Sequence, residues 1–281
     1  FYRVLKMLYV FARQFGRAIQ AHLVATNSNS SIFLFLRELL AKFDKGQEGP
    51  KLREEVLKFV SDLLAINSEQ ASQLLVTYFL SEHRRVMDQL QNKPRLQYDY
   101  LRLVERSTEI SEQEHELLIR LMCEYDPARV YDHLASHDEY RPLICLEIVS
   151  KYNLPDSKAY LLEKTGDYTA ALEILTESLS DCLEKVKLCC KDVDSSSSFT
   201  PLSLMEKRTL SEQSNTESDS IVLASNVLHL KQAVEDCVAA SKKCENLCKR
   251  ASIKFGFEED DNYSMWFKFL DTLLESMVSC R

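Results

Sequence analysis

The sequence predicts an all-α chain, an α-solenoid of stacked antiparallel helical hairpins. Three observations point there. Only 5 glycines and 6 prolines occur in 281 residues, which leaves little material for β-hairpin turns or phosphate-cradling loops. Apolar residues recur at helical spacing, in runs joined by short links that favour antiparallel neighbours. A short helical hairpin also recurs along the chain, and a hairpin too small to bury its own apolar face needs a neighbour to bury it.

Helical periodicity is strong through 1–25, breaks at Thr26-Asn27-Ser28-Asn29-Ser30, and resumes over 31–44. Gly46 to Pro50 read as a loop. Helices follow over 51–66, 68–80, 82–92, 97–107 and 111–124, the last opened by Ser111-Glu112-Gln113-Glu114, which fits a capping box. Asp126-Pro127 starts the next at 127–135, and helices at 141–152, 155–165 and 168–191 complete a solenoid over 1–191. Residues 192–220, DVDSSSSFTPLSLMEKRTLSEQSNTESDS, are rich in Ser and acidic side chains and read as a disordered acidic insertion. C-terminal helices over 221–281 then continue the solenoid. A long one covers 221–254, and a final one carries Met265, Trp266, Phe267, Leu270, Leu273, Leu274 and Met277.

The clearest hairpin is YNLPDSKAYLLEKTGDYTAALEIL, 152–175. Pro155 suits the first turn of a helix, where its missing N–H is unpaired anyway, and Gly166 can take the left-handed conformation that ends one. Asp167 can cap the next helix. Ala159, Leu161 and Leu162 fall on one broad face, and Ala170, Ala171, Ile174 and Leu175 form the stripe beyond the hinge. Residues 125–140 are a weaker copy: Pro127 falls on Pro155, Leu134 on Leu162, Glu139 on Asp167 and Tyr140 on Tyr168. Skipping one residue extends the match upstream, setting Tyr125 on Tyr152, Leu121 on Ile148 and Ile119 on Leu146.

Composition narrows the function classes. With 45% hydrophobic and 28% charged residues the chain reads as an ordinary soluble globular protein. A net charge of −8 and the lack of a basic stripe with interleaved aromatics argue against nucleic acid and for protein partners. The longest apolar run, Ile32 to Leu36, ends at Arg37-Glu38, far short of the roughly 18–20 residues that span a bilayer. Nine cysteines without a disulfide-scaffold spacing fit a reducing cytosol. The amphipathic, basic start at Phe1 has no cleavage site and reads as part of a longer chain rather than as a targeting peptide.

Candidate chemistry is sparse. His133 and His137 are four apart, a spacing that can place two imidazoles on one metal, but no Glu follows the first as in HExxH and no third ligand stands nearby in the chain. Cys237, Cys244 and Cys248 form one helical stripe, which reads as packing, and Cys189 and Cys190 point to different sides of a helix. No GxSxG, P-loop or GxGxxG occurs. The sequence therefore assigns no catalytic residue, metal ligand or cofactor. Tyr263, Trp266, Phe267 and Phe269 read first as core, with Trp266 and Phe267 as a candidate partner surface. Thr200 before Pro201 suits a proline-directed kinase, Ser211 in Arg-Thr-Leu-Ser a basophilic one and Ser214 in Ser-Asn-Thr-Glu an acidophilic one.

Residues 124–175, EYDPARVYDHLASHDEYRPLICLEIVSKYNLPDSKAYLLEKTGDYTAALEIL, resemble the clathrin heavy-chain repeat region of the vacuolar protein sorting subunits. In that family an ExxxxYN stretch precedes AYLLEKxGDxxxAL. A long helix, a polar linker and a Trp-Phe pair opening a further helix similarly follow, as Met265-Trp266-Phe267-Lys268-Phe269-Leu270 does here. The resemblance implies a structural repeat signature at Tyr125, Tyr152, Leu161, Leu162, Gly166, Asp167 and Ala170. It implies a non-enzymatic scaffold segment of a subunit of CORVET, the complex that tethers endosomal vesicles before fusion. The implied partners are other tethering-complex subunits and a Rab-family GTPase, and the implied location is cytoplasmic, peripheral on endosomal membranes. Family members carry an N-terminal β-propeller and a C-terminal RING-type zinc domain, which the cysteines here cannot form. Two further readings stay open: the substrate-recruiting arm of a RING-type ubiquitin ligase, and a helical-repeat scaffold unrelated to trafficking.

Overall fold

The computed structural model describes residues 2–25, 31–197, 215–255 and 260–278, and these form helices and turns with no strand among them. They fall into two compact units, Phe1–Ile148 and Val149–Arg281. The division lies inside the stretch whose composition reads as one solenoid. Composition changes at the Ser-rich segment, whereas packing changes earlier, where the last helices close a core of their own.

Unit 1 contains α1 (Tyr2–Phe11), α2 (Phe15–Ala25), α3 (Ser31–Phe43), α4 (Gly49–Leu57), α5 (Val60–Ile66), α6 (Ser68–Phe79), α7 (His83–Leu90), α8 (Pro94–Glu105), α9 (Glu112–Tyr125), α10 (Val130–Ser136) and most of α11 (Pro142–Val149). Single 3₁₀ turns at Leu80–Glu82 and Pro127–Arg129 lead into α7 and α10. One core runs through it, with Phe15 and Ile19 of α2, Leu36 and Leu40 of α3, Leu75 and Phe79 of α6 all buried. Polar ties join α4, α7, α8 and α9 to segments further along: Arg53 to Glu82, His83 to Glu114, Tyr98 to Asp126 and Glu116 to Arg141, with separations of 29, 31, 28 and 25 residues. A near-constant separation of this kind is what stacked hairpins produce, since each layer touches the next and little else.

Several helix ends differ from the periodicity. The run over 1–25 is two helices, because Arg13 takes φ 55°, a left-handed backbone. Its amide donates to the Val10 carbonyl and that of Gln14 to the Tyr9 carbonyl, which closes α1 as a Schellman motif. Its guanidinium lies 4.5 Å from the Phe43 ring centroid, a cation–π contact on a residue where glycine is usual. The run over 51–66 splits at Lys58-Phe59 into α4 and α5, and α4 starts at Gly49, inside the expected loop. A Cβ at Gly49 would stand 2.1 Å from the Asp44 carbonyl oxygen, so only glycine permits this tight return. The capping box at Ser111 is formed: its hydroxyl accepts from the Glu114 amide and the Glu114 carboxylate accepts from the Ser111 amide.

Unit 2 contains the end of α11, α12 (Pro155–Thr165), α13 (Tyr168–Ser197), α14 (Asn215–Phe255) and α15 (Asp260–Val278). Ala171, Leu172, Leu175 and Leu179 of α13 meet Ala240, Cys244, Leu247, Cys248 and Ala251 of α14, with Met265 and Phe269 of α15 closing the seam. Alanine and cysteine on one helix opposite leucine on the other let two long helices approach closely. Cys244 and Cys248 are fully buried there, and burial pushes their thiols up to about 12 and about 11. Bonds from Lys243 to Asp156 and from Arg250 to both Glu163 oxygens tie α14 to α12, and one from Lys268 to Glu173 ties α15 to α13. Helices α13 and α14 also take in 192–197 and 215–220, which composition assigned to the insertion. A helix already nucleated extends into polar sequence at little cost. Residues 198–214 lie outside the described residues.

Candidate functional site

The hairpin α12–α13 shows how the repeat is locked. Pro155 is the first residue of α12 and Gly166 ends it at φ 94°. The Gly166 amide donates to the Glu163 carbonyl and the Asp167 amide to the Leu162 carbonyl, the same closure that Arg13 makes. Asp167 then caps α13, its carboxylate accepting from the Ala170 amide and the Thr169 hydroxyl, each at 3.0 Å. Leu161 is fully buried, Leu162 is half-buried against the α13–α14 core, and Ala170 is half-buried. In the upstream copy Pro127 likewise starts its turn, with Asp126 before it at φ −150° and ψ 60°, close to Leu154 before Pro155 at φ −125° and ψ 74°. Tyr140 and Tyr168 are both buried. Tyr125 is half-buried, 6.1 Å from the Tyr98 ring, and Tyr152 is half-buried three residues past α11. The copies close differently: α10 ends on an extended His137, with no left-handed residue.

That extended end turns His137 back toward His133 and into a polar cluster in unit 1. Glu105 is the last residue of α8, His115 lies in the first turns of α9, and His133 lies in α10. His133 Nδ1 and His137 Nε2 stand 3.1 and 3.2 Å from the same oxygen, Glu105 Oε1. His115 faces both, its ring 5.8 Å from that of His133 and 5.6 Å from that of His137. Burial, then the positive field of His133, lowers the His115 pKa. For Glu105 burial acts upward, but the neighbouring His133, His137 and His115 outweigh it and hold the carboxyl below its usual range. A cavity of about 390 Å³, lined by Glu105, His115, His137 and Glu139, gives the cluster an opening. Chain order hides this meeting, because Glu105 and His115 precede the His133/His137 pair by a helix or more.

Apolar surface is exposed in each unit. On α15 the two aromatic candidates separate. Trp266 is half-buried against the seam and donates its indole N–H to the Ser252 hydroxyl at 3.1 Å, while Phe267 is 61% exposed and shares a stripe with exposed Leu270 and Leu274. Phe269 is core and the Tyr263 side chain lies outside the described residues. In unit 1 a groove of about 860 Å³ between α1 and α3 has an apolar floor including Val10 and Phe35 and a basic rim of Lys6, Arg13 and Lys42. Thr200, Ser211 and Ser214 lie outside the described residues. Among those described, no helix is long and apolar enough to cross a membrane.

The model of a family described as the Vps41 TPR-like region matches residues 2–198. The vacuolar protein sorting-associated protein 8 homolog of Mus musculus is 26% identical over 197 residues, 66% of this chain and 14% of its own length. Its counterpart in Drosophila melanogaster is 27% identical over 145 residues, 50% of this chain and 12% of that protein. The vacuolar protein sorting-associated protein 41 homolog of Homo sapiens is 23% identical over 181 residues, 64% of this chain and 20% of that protein. The chain thus spans a fifth or less of the length of these relatives. No solved structure matches it.

Proposed function

The chain belongs to the Vps41 TPR-like region family, and on that premise we propose that it is a non-catalytic scaffold segment of a vesicle-tethering subunit of the vacuolar protein sorting type, acting on endosomes. The observation that carries this is the family match over 2–198, which takes in the hairpin with its Gly166 and Asp167 closure. A reading closer to subunit 8, and so to CORVET, is supported by the 26–27% identity to subunit 8 homologs of mouse and fly against 23% to subunit 41. The long helix and Trp-Phe helix after the hairpin support it too.

In this reading helical layers hold partner sites at fixed spacing. The partners are other tethering-complex subunits and a Rab-family GTPase, and contact with the endosomal membrane is peripheral, through the assembled complex. Phe267, Leu270 and Leu274 are the docking stripe of unit 2, since one exposed face of a helix otherwise anchored by Met265, Trp266 and Phe269 suits a partner helix. The test is affinity purification from cells of the tagged full-length protein and of its Phe267→Ser/Leu270→Ser/Leu274→Ser variant. Wild type is expected to bring down tethering subunits, those specific to CORVET above those of the related HOPS complex. The variant is expected to recover them several-fold less, with unchanged helicity. Recovery of no tethering subunit would sink the functional reading; equal recovery by both proteins would remove the stripe alone.

A further inference from the structure

The Glu105, His115, His133 and His137 side chains converge in a way that hydrogen bonding within the protein leaves incomplete. We propose that they form a binding site for one zinc-class divalent transition-metal ion, which ties α8, α9 and α10 together.

The geometry is close to that of a bound ion. Ligand atoms of Glu105, His115 and His133 all lie within 4.8 Å of one another. A tetrahedral ion with bonds of about 2.0–2.1 Å holds its ligand atoms about 3.4 Å apart, so closure asks about 0.7 Å of each side chain in the widest pair and no backbone change. The donors sit on three helices and one helix end, which the surrounding core already fixes.

The polar inventory points the same way. His115 Nδ1 and His133 Nε2 are buried and have no hydrogen-bond partner, and the buried Glu105 Oε1 is met only by the His133 and His137 imidazoles. His115 and His133 are 3% and 7% exposed. Buried polar atoms are almost always satisfied, and two unsatisfied imidazole nitrogens beside a buried carboxylate ask for a further partner. His137 sharpens this. Its Nδ1 lies 3.0 Å from the His133 carbonyl, an acceptor, so Nδ1 carries the proton and donates it there. Its Nε2 is turned toward Glu105 Oε1 at 3.2 Å, the same carboxylate oxygen that His133 Nδ1 approaches. The same carbonyl bond orients the ring in the manner of the outer partners of metal-bound histidines.

Three imidazoles and one carboxylate suit zinc and its neighbours rather than magnesium or calcium, which prefer all-oxygen sites. With four protein ligands the site is structural, since a catalytic zinc keeps a position open for water. The cavity beside His137 and Glu139 provides the entry.

The test uses the 281-residue chain stripped of metal with a chelator and titrated with Co²⁺ as a coloured stand-in for Zn²⁺. One equivalent is expected to bind with the visible bands of four-coordinate cobalt, without thiolate charge-transfer absorption, and to be displaced by Zn²⁺. Zn²⁺ is expected to raise the melting temperature of wild type. Glu105→Gln and His133→Asn are each expected to lose at least about tenfold in affinity. His137→Asn, at the exposed edge of the site, keeps the fold and reports the same loss should the buried variants unfold. Absence of stoichiometric binding to wild type, a thiolate signature, or equal affinity in His137→Asn would each overturn the proposal.

Discussion

Leu161, rather than Leu162, is the side chain on which α12 hangs. The two are adjacent, and sequence spacing puts both on one broad face, but only Leu161 is wholly enclosed. Leu161→Ala is therefore expected to cost about 2–5 kcal/mol, Leu162→Ala less, and exposed Lys164→Ala little, as read from urea unfolding midpoints. A larger loss at Leu162 than at Leu161 would reverse the assignment. At Gly166 a Cβ would meet nothing within 4 Å, so substitution is penalised by φ alone. Gly166→Ala should cost about 1 kcal/mol for the left-handed conformation, and Gly166→Val more, because branching at Cβ restricts the backbone further. Gly49 is the opposite case: its backbone is ordinary and the obstacle is the Asp44 carbonyl, so Gly49→Ala should destabilise by forcing the α3–α4 return apart.

Between elements, the best-defined polar link is the Arg53 clamp. From α4 it makes paired bonds to Asp44 at 2.5 and 2.9 Å, and it reaches Glu82 beside α7 at 3.1 and 3.2 Å. The hydrogen bonds from Arg53 hold the Asp44 carboxyl below its usual range; burial acts upward on Glu82, yet Ser81 and Arg53 leave it lowered as well. A carboxylate whose folded pKa is depressed adds stability that is complete above its unfolded value, about 4, and is lost as pH falls through the folded one. Arg53→Met should therefore lower the melting temperature at pH 7 and weaken the further loss as pH falls below about 4. An unchanged acid limb would show the clamp to be idle. Local signals of this kind decided what the sequence could disclose. Proline at 155, glycine at 166 and the Ser111–Glu114 box each act within a turn or two, and they locate α12 and α9. The break at Arg13 was illegible because a cation–π contact with Phe43, thirty positions on, stabilises a backbone that Arg does not advertise. The Glu105–His115–His133 meeting was illegible for a like reason: only the stacking of three helices brings it about.

For the whole molecule, the Ser-rich segment and the order of the helices matter most. Residues 198–214 lie outside the described residues, within the stretch 192–220 whose composition reads as an acidic insertion. Exchanging 199–213 for a Gly-Ser spacer of equal length should leave the melting temperature unchanged, and a fall of several degrees would mark the segment as a strut. Phosphates at Thr200, Ser211 and Ser214 would each add about −1.5 to −2 charges to the acidic stretch 192–220. Alanine at all three is expected to raise recruitment to endosomes, scored by microscopy, without altering stability. The long seam between α13 and α14 has a further consequence, which concerns synthesis. In unit 1 each polar tie closes within about 31 residues, so every helix meets its partner soon after leaving the ribosome. In unit 2 the ties from α14 and α15 back to α12 and α13 span 87 and 95 residues, and Leu179 has to wait for Ala240 and Cys244. At about 5–20 residues per second that wait lasts roughly 3–12 s, with Ala171, Leu172, Leu175 and Leu179 facing water. Nascent chains halted between residues 180 and 240 should accordingly be held by chaperones, which let go once translation delivers α14.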